Sequence, residues 1–344
     1  MDIGTAQDLW KIDSVWLNTA QYGIPPRPAH EALSDAVATW RHGAGLPGPW
    51  GEAAESARRS FAALVGAAPE DIAQGATTSQ LMGTLAASVP DGARVLVPEG
   101  EFTSAVFPWM AQADRGVRVQ AVPLAELAGA VDGDTWLVVF SLVQSAGGEL
   151  APADAIVAAA RRHGARVAVD ATQAVGWLPV DATRYDALIC SCYKWLMAPR
   201  GLAYGYLSPA LRPLLRPGSA GPAAARDPLG SFYASEMTLA DGAARFDISP
   251  NWFAGVTAAR SMAVLLDIGV PRIRDHNVGL ANRFRAALGL APGDSAITSV
   301  EAHNAGERLR AADVVAAERA GRVRVSFHVY STEEDADRAA EALI

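Results

Sequence analysis

This chain has little that points to a metal, a membrane or a nucleic acid. Its 344 residues include only two cysteines, Cys190 and Cys192, one residue apart. Neighbours at i and i+2 of a strand share a face but are poorly placed for a disulfide, and no second pair completes a metal site. The six histidines, His30, His42, His163, His276, His303 and His328, show no ligand spacing, and neither an HExxH helix nor a P-loop occurs. No metal is therefore expected. No apolar run approaches the ~20 residues that span a bilayer, and the segment Met1–Trp16 lacks the basic start and apolar core of a secretory signal. Lysine and arginine number 29 against 37 acidic residues, a formal charge of −8, with no dense basic run. Nothing electrostatic invites nucleic acid or anionic lipid. The expectation is a cytoplasmic protein with neither as partner, in which an anionic ligand would need a local pocket.

What is present is a globular chain. Half of its residues are hydrophobic and 19% are charged, which excludes a disordered composition, and the length suffices for a large domain with a smaller one. Short apolar runs read as buried strands at Arg94–Pro98, Trp136–Val143, Arg166–Asp170, Ala187–Cys192 and Leu202–Leu207. Helical patterns lie between them. The clearest is Pro152–His163, with proline near its start, two arginines in its last turn and Gly164 just beyond. Strands alternating with helices predict an α/β fold, a mainly parallel sheet covered on both faces. The Pro- and Gly-rich stretch Pro209–Gly230 reads as an exposed loop. Helices are then expected at Val256–Ile268 and Arg272–Leu288, a strand at Arg322–Val329, and a last helix opened by Ser331–Glu334. That order suggests a large domain over residues 1–240, with an N-terminal arm over 1–30 packing on a smaller C-terminal α+β domain over 241–344.

The chemistry begins at strand ends. Asp170 closes the run RVAVD, and in open α/β sheets ligands bind beyond the carboxyl ends of strands. By itself this aspartate would read as a turn cap. Lys194 follows a second apolar run, 24 residues later, a spacing of about one connection plus one strand. A lysine there either emerges at the sheet's rim or has a reason to be buried. A Schiff-base cofactor would need this pair: an amine to hold its aldehyde, and a carboxylate to keep a pyridine nitrogen protonated.

The stretch Ala168–Leu207 closely resembles the signature of the class V aminotransferase family of fold-type I pyridoxal 5′-phosphate (PLP) enzymes, which includes cysteine desulfurases, kynureninase and isopenicillin N epimerase. The matching residues are Asp170, Gln173, Gly176, Ser191, Tyr193, Lys194 and Gly201. The resemblance implies a fold-type I PLP-dependent transferase fold. It further implies that Lys194 carries the cofactor, Asp170 pairs with its ring nitrogen, Gln173 lies near its phenolic oxygen, and Ser191 and Tyr193 bind its phosphate. Tyr193 stands where desulfurases usually have histidine.

Gly75-Ala76-Thr77-Thr78-Ser79 opens a helix with small and hydroxylic residues, a common N-cap pattern and a ready phosphate site. The resemblance assigns Ala76, Thr77 and Thr78 to the phosphate. It places Phe102 against the pyridine ring, where a core position is the other reading, and Gln144 near the cofactor's oxygen. In Arg322-Val323-Arg324 it makes Arg324 the clamp on a substrate carboxylate, a task suited to the paired donors of a guanidinium. Alternation puts Arg322 on the same face, so a solvated basic strand is the alternative. Ser249 resembles the segment that reaches a neighbouring subunit's phosphate, although a Gly-Thr pair is commoner there, and Asn18, in Leu17-Asn18-Thr19-Ala20, is assigned to the substrate. The implied assembly is a homodimer with the site at the subunit interface.

The family's desulfurases carry a cysteine shortly before this arginine strand, whereas Leu290–Arg322 contains none. A persulfide mechanism is not expected. An aminotransferase-like reaction on an amino acid is the expected function, with a C–S (β-elimination) lyase or an epimerase as the alternative. A non-catalytic PLP-binding regulatory or scaffold protein is the reading from another class.

Overall fold

A computed structural model describes residues 1–319 and 321–344. Its large sheet has seven strands: β1 (Ile72–Gly75), β2 (Arg94–Pro98), β3 (Arg118–Val122), β4 (Thr135–Ser141), β5 (Arg166–Asp170), β6 (Ala187–Ser191) and β7 (Ala203–Leu207). They lie in the order β1-β7-β6-β5-β4-β2-β3; β7 runs antiparallel to β1 and β6, and the other pairings are parallel. The sheet is mainly parallel, as its near-continuous apolar runs predict, because both faces are covered.

Strand alternation divides the core. Val138, Phe140, Val167 and Val169 face one side with Phe61, Ile156 and Leu265. Leu137, Val139 and Ala168 face the other with Leu81, Met82 and Trp109. Helices α1 (Arg27–Arg41), α2 (Pro47–Leu64), α3 (Thr78–Ala86) and α4 (Ala153–His163) belong to these layers. In α4, Pro152 is the N-cap, Asp154 lies in the first turn, three basic residues fill the last, and Gly164 ends the helix at φ 72°. Each of those choices favours the helix where it stands.

Helix α5 (Trp252–Ile268) packs on α1 and α2 and shares the large domain's core through Met262 and Leu265. Gly269 then begins α6 (Val270–Ala287). The second core gathers Phe284, Val300, Val323, Val325 and Phe327 with α7 (Glu333–Glu341), and it also takes Val15 and Leu17 from the N-terminal arm. The arm pairs Val15 and Trp16 in parallel with Val314 and Val315, and Asn18 bridges to Ser326. A three-stranded antiparallel sheet, with β8 (Ile297–Val300), β9 (Ala317–Arg319) and β10 (Arg322–Ser326) in the order β9-β10-β8, carries this core. Beyond residue 241, α5 buries its apolar face against α1 and α2, and Ile273, Val278, Ile297 and Val329 further along join the same core.

The strand expected over Arg322–Val329 ends at Ser326. Beyond it the chain turns, with Ser331 N–H donating to the His328 carbonyl at 2.8 Å and His328 N–H to the Ser331 hydroxyl at 3.1 Å. Thr332 and Asp335 then form a reciprocal capping box that starts α7. The segment Pro209–Gly230 holds only two single-turn 3₁₀ helices. Among the described residues no single helix is long and apolar enough to cross a membrane.

Candidate active site

The carboxyl ends of β1, β2, β4, β5 and β6 converge on a cavity of about 180 Å³. Of the residues singled out from the sequence, Ala76, Thr77, Thr78, Phe102, Asp170, Gln173, Ser191, Tyr193 and Lys194 line it. Four do not: Gln144, Asn18, Arg324 and Ser249.

Lys194 is 6% exposed, and its Nζ lies 5.5 Å from the Phe102 ring centre and 5.8 Å from that of Tyr193. Burial pulls its ammonium down to about 8, against the opposing pull of Asp170. The backbone here leaves no slack: the Gly23 N–H donates to the Tyr193 carbonyl at 2.9 Å, and a Cβ on Gly23 would sit 2.1 Å from the Lys194 carbonyl oxygen. Asp170 is 5% exposed and accepts a bond from the Thr172 N–H at 2.8 Å. Burial pushes its carboxyl up, while Thr172 and then Lys194 pull it down. A buried amine and a buried carboxylate thus face one cavity, each costly alone and each moderating the other.

At the start of α3 three hydroxyls meet. Thr78 Oγ1 lies 2.8 Å from Ser191 Oγ and 3.1 Å from Thr172 Oγ1, and the Thr78 N–H donates to Ser191 Oγ at 3.2 Å. Thr77 caps the helix by accepting from Gln80 N–H at 3.1 Å. The Gln173 amide donates to the Ala20 carbonyl at 2.9 Å and to Ser145 Oγ at 3.3 Å, while its oxygen accepts from the Trp195 indole at 2.8 Å. Phe102 is 44% exposed, which removes the reading of it as a core residue.

Arg324 is 1% exposed and donates through Nη1 to the Ser145 carbonyl at 2.5 Å and to its hydroxyl at 3.3 Å. Its Nε is buried without a partner, and burial with the nearby Arg319 lowers its guanidinium to about 10. It stands one residue behind the wall, since Ser145 lines the cavity. Arg322, by contrast, is exposed and reaches toward Glu301 at 3.6 Å. The solvated-strand reading therefore fits Arg322 but not Arg324. Gln144 is turned away from the cavity because Glu101, a buried carboxylate, takes its amide at 3.0 Å. Asn18 is buried beside Ser326, its Nδ2 3.4 Å from Gln21 Oε1 and its Oδ1 unpartnered. Ser249 is exposed and outside this chain's cavity.

Sequence reasoning missed Ser79, Ser104, Ser141, Ser145, Thr172 and Arg200 in the lining. Thr172 was within reach, lying between Asp170 and Gln173; the isolated serines carry no pattern. It also missed Glu101, whose two oxygens accept from Ser141 N–H and Oγ, Phe102 N–H and Gln144, tying β2 to β4.

The donor set suits PLP. Hydroxyls and a helix start offer a phosphate site, a buried carboxylate suits a pyridinium, a buried amine near neutrality suits an aldehyde, and an aromatic ring stands at the mouth. Among the described residues no His, Cys, Asp and Glu cluster could hold a metal.

A family model described as aminotransferase class-V matches residues 37–309. The chain is 27% identical over 319 residues to the uncharacterized aminotransferase YcbU of Bacillus subtilis (strain 168), covering 86% of this chain and 85% of that protein. To isopenicillin N epimerase of Streptomyces clavuligerus it is 29% identical over 335 residues, covering 83% of each. Among solved structures, a C-DES variant with glycine covalently linked to its PLP cofactor matches at a TM-score of 0.86 and 19% identity, over 100% of this chain and 99% of that one. That likeness is one of fold, the fold-type I architecture.

Proposed function

Because this chain belongs to the aminotransferase class-V family of PLP-dependent enzymes acting on amino acids, we propose that its reaction is aminotransferase-like and runs in the Lys194–Asp170 cavity. The observation that carries this reading is the burial of both groups at one cavity, with the Lys194 amine held near 8. PLP, when bound, supplies an electron sink for the pair released when a bond at the substrate Cα breaks.

The chain's own residues supply the rest. Lys194 Nζ is the covalent anchor and then the base that takes a proton from the substrate Cα and returns one. Asp170, kept from water, would hold a proton on the ring nitrogen of bound PLP. With PLP bound, Gln173 would lie toward its phenolic oxygen, Phe102 would cover its ring, and the Thr77, Thr78, Ser191 and Tyr193 hydroxyls with the Ala76 turn would hold its phosphate. Arg324 clamps the substrate carboxylate after exchanging Ser145 for it, a step supported by its unpartnered Nε. Asn18, buried with an unpartnered Oδ1, is the second substrate contact, and Gln144 would serve the cofactor's side of the site through Glu101, which also holds the lining residue Ser141. Ser249, exposed in the single chain, is assigned to the phosphate of a partner subunit in a homodimer. In the domain division we adopt, residues 241–268 stay with the cofactor-binding layer. Two buried, unpaired thiols suit the reducing cytoplasm.

Epimerisation is the second reading, favoured by the 29% identity to isopenicillin N epimerase. It needs the same Lys194 proton transfer, with the proton returned to the opposite face of Cα. The anchor is tested by borohydride reduction of the loaded protein followed by peptide mapping. Label on Lys194 is the expected result, and label on another lysine overturns the assignment.

A further inference from the structure

Seen as a binding problem, the cavity has hydroxyls in abundance and almost no charge to set against an anion. Among the described lining residues only Asp170, Lys194 and Arg200 are charged. The phosphate of PLP brings roughly two negative charges, and Lys194 gives up its free ammonium when it anchors the cofactor. Hydroxyls and amides supply directed bonds but no net charge. Arg200 is what remains.

We propose that Arg200 is the cation that balances the cofactor's phosphate and governs its retention, an inference that rests on the PLP reading of this site. The geometry supports it in three ways. The Arg200 guanidinium carbon lies 4.6 Å from the centre of the Tyr193 ring, a cation–π contact that orients the fork without using its N–H donors. No carboxylate of a described residue lies within ion-pair distance of Arg200, so its charge is not already taken up within the fold. The following residue, Gly201, sits at φ +99°, and a Cβ there would lie 2.8 Å from Asn251 Nδ2. Only glycine brings the chain that close to the start of α5, which fixes where Arg200 leaves the backbone.

The other side of Arg200 offers its charge nothing better. Together with Tyr193 it forms the wall between the site and an adjoining cavity of about 320 Å³, where Tyr22, Ile24, Pro25, Leu33 and Met197 are among the lining groups and no lining residue is acidic. An anion on the site side is therefore the partner the wall can accept, and a planar fork of N–H donors matches phosphate oxygens.

The test compares PLP with pyridoxal, which lacks the phosphate, as ligands of apoprotein prepared from the loaded enzyme. Arg200→Met should weaken PLP binding by roughly tenfold to a hundredfold, the effect of one lost charge-assisted contact. It should leave pyridoxal binding unchanged. Arg200→Lys, which keeps the charge but not the fork, should fall between, and it also serves if Arg200→Met does not fold. Equal PLP affinity in wild type and either variant overturns the proposal, as does an equal loss for PLP and pyridoxal. An unchanged PLP affinity accompanied by a raised KM for the amino acid would move Arg200 to the substrate and overturn it equally. A wild-type protein that binds neither ligand would instead remove the PLP reading itself.

Discussion

The charge state of Lys194 gives the sharpest quantitative prediction. An amine attacks an aldehyde only when neutral. In solution lysine titrates at 10.5, so at pH 7 about 0.03% of it is neutral. Burial brings Lys194 down to about 8, at which about a tenth is neutral at the same pH. The gain in reactive amine is roughly 300-fold, equivalent to about 3 kcal/mol. The sign follows from the direction: with its folded value depressed, the residue's contribution to stability is present above 10.5 and lost as pH falls through about 8. Apoprotein should therefore capture PLP at a rate that climbs about tenfold per pH unit below about 8 and levels off above it, followed by absorbance in a stopped-flow instrument. Asp170→Asn should move that midpoint lower, because the carboxylate supports the ammonium. A rate still climbing steeply toward pH ~10 would mean that Lys194 is solvated like a surface lysine, and the burial argument would fail.

Asp170→Asn should retain PLP yet lose roughly 10²-fold or more in turnover, since an amide cannot hold the ring nitrogen protonated; near-normal kcat would return Asp170 to a turn residue. Arg324→Ala should raise KM about tenfold to a hundredfold, whereas exposed Arg322→Ala should change it little; equal effects would deny Arg324 its role. Replacing Cys190 and Cys192 together by alanine should leave most activity, because both thiols are buried and burial pushes both upward, away from thiolate chemistry. Arg58→Met should cost about 3–5 kcal/mol in thermal or urea unfolding, because it strands the buried Asp247, which pairs with Arg58 at 2.5 Å and accepts from Gln74 N–H at 2.7 Å.

Strongly patterned elements were readable in the chain. Strands β2 and β5 begin and end where their apolar runs do, and α4 stops at Gly164, because local signals and burial agree there. The strand beginning at Arg322 stops short of Phe327–Val329: Phe327 and Val329 are apolar because they enter the two cores, not because they pair in the sheet. Asp170 stood out only as one of a pair, with Lys194 24 residues on near the end of another buried run, inside a stretch that resembles the family signature. Glu101, Ser145 and Arg200 did not, since a polar residue in a loop has no period to mark it and acquires meaning only from what the fold sets beside it. The same holds for Arg322 and Arg324, equivalent by alternation and separated only by Ser145 and Glu301, which the fold brings to one and the other.

Which bond at Cα breaks depends on which one stands perpendicular to the ring, and that is decided by the groups around the substrate more than by the anchor. Persulfide chemistry needs an ionisable thiol. This chain has none to offer: the stretch from Leu290 to Arg322 lacks cysteine, and Cys190 and Cys192 are fixed within and just after the buried β6. What the cavity does hold among the described residues is one amine that can take and return a proton, with the Asp170 carboxylate and the Tyr193 hydroxyl as its other titratable lining groups. A single base working on one face of the substrate plane suits transamination, in which Lys194 carries the proton along that face. Epimerisation requires a proton donor on the opposite face. The candidates for that donor are the Tyr193 hydroxyl, which lines the cavity and which burial pushes up, and a group brought by another subunit. Exchange of the Cα proton in deuterated water, with the chirality of the recovered amino acid measured, separates the two. Exchange with retained configuration supports the one-base cavity, and racemisation would show that a second donor reaches it.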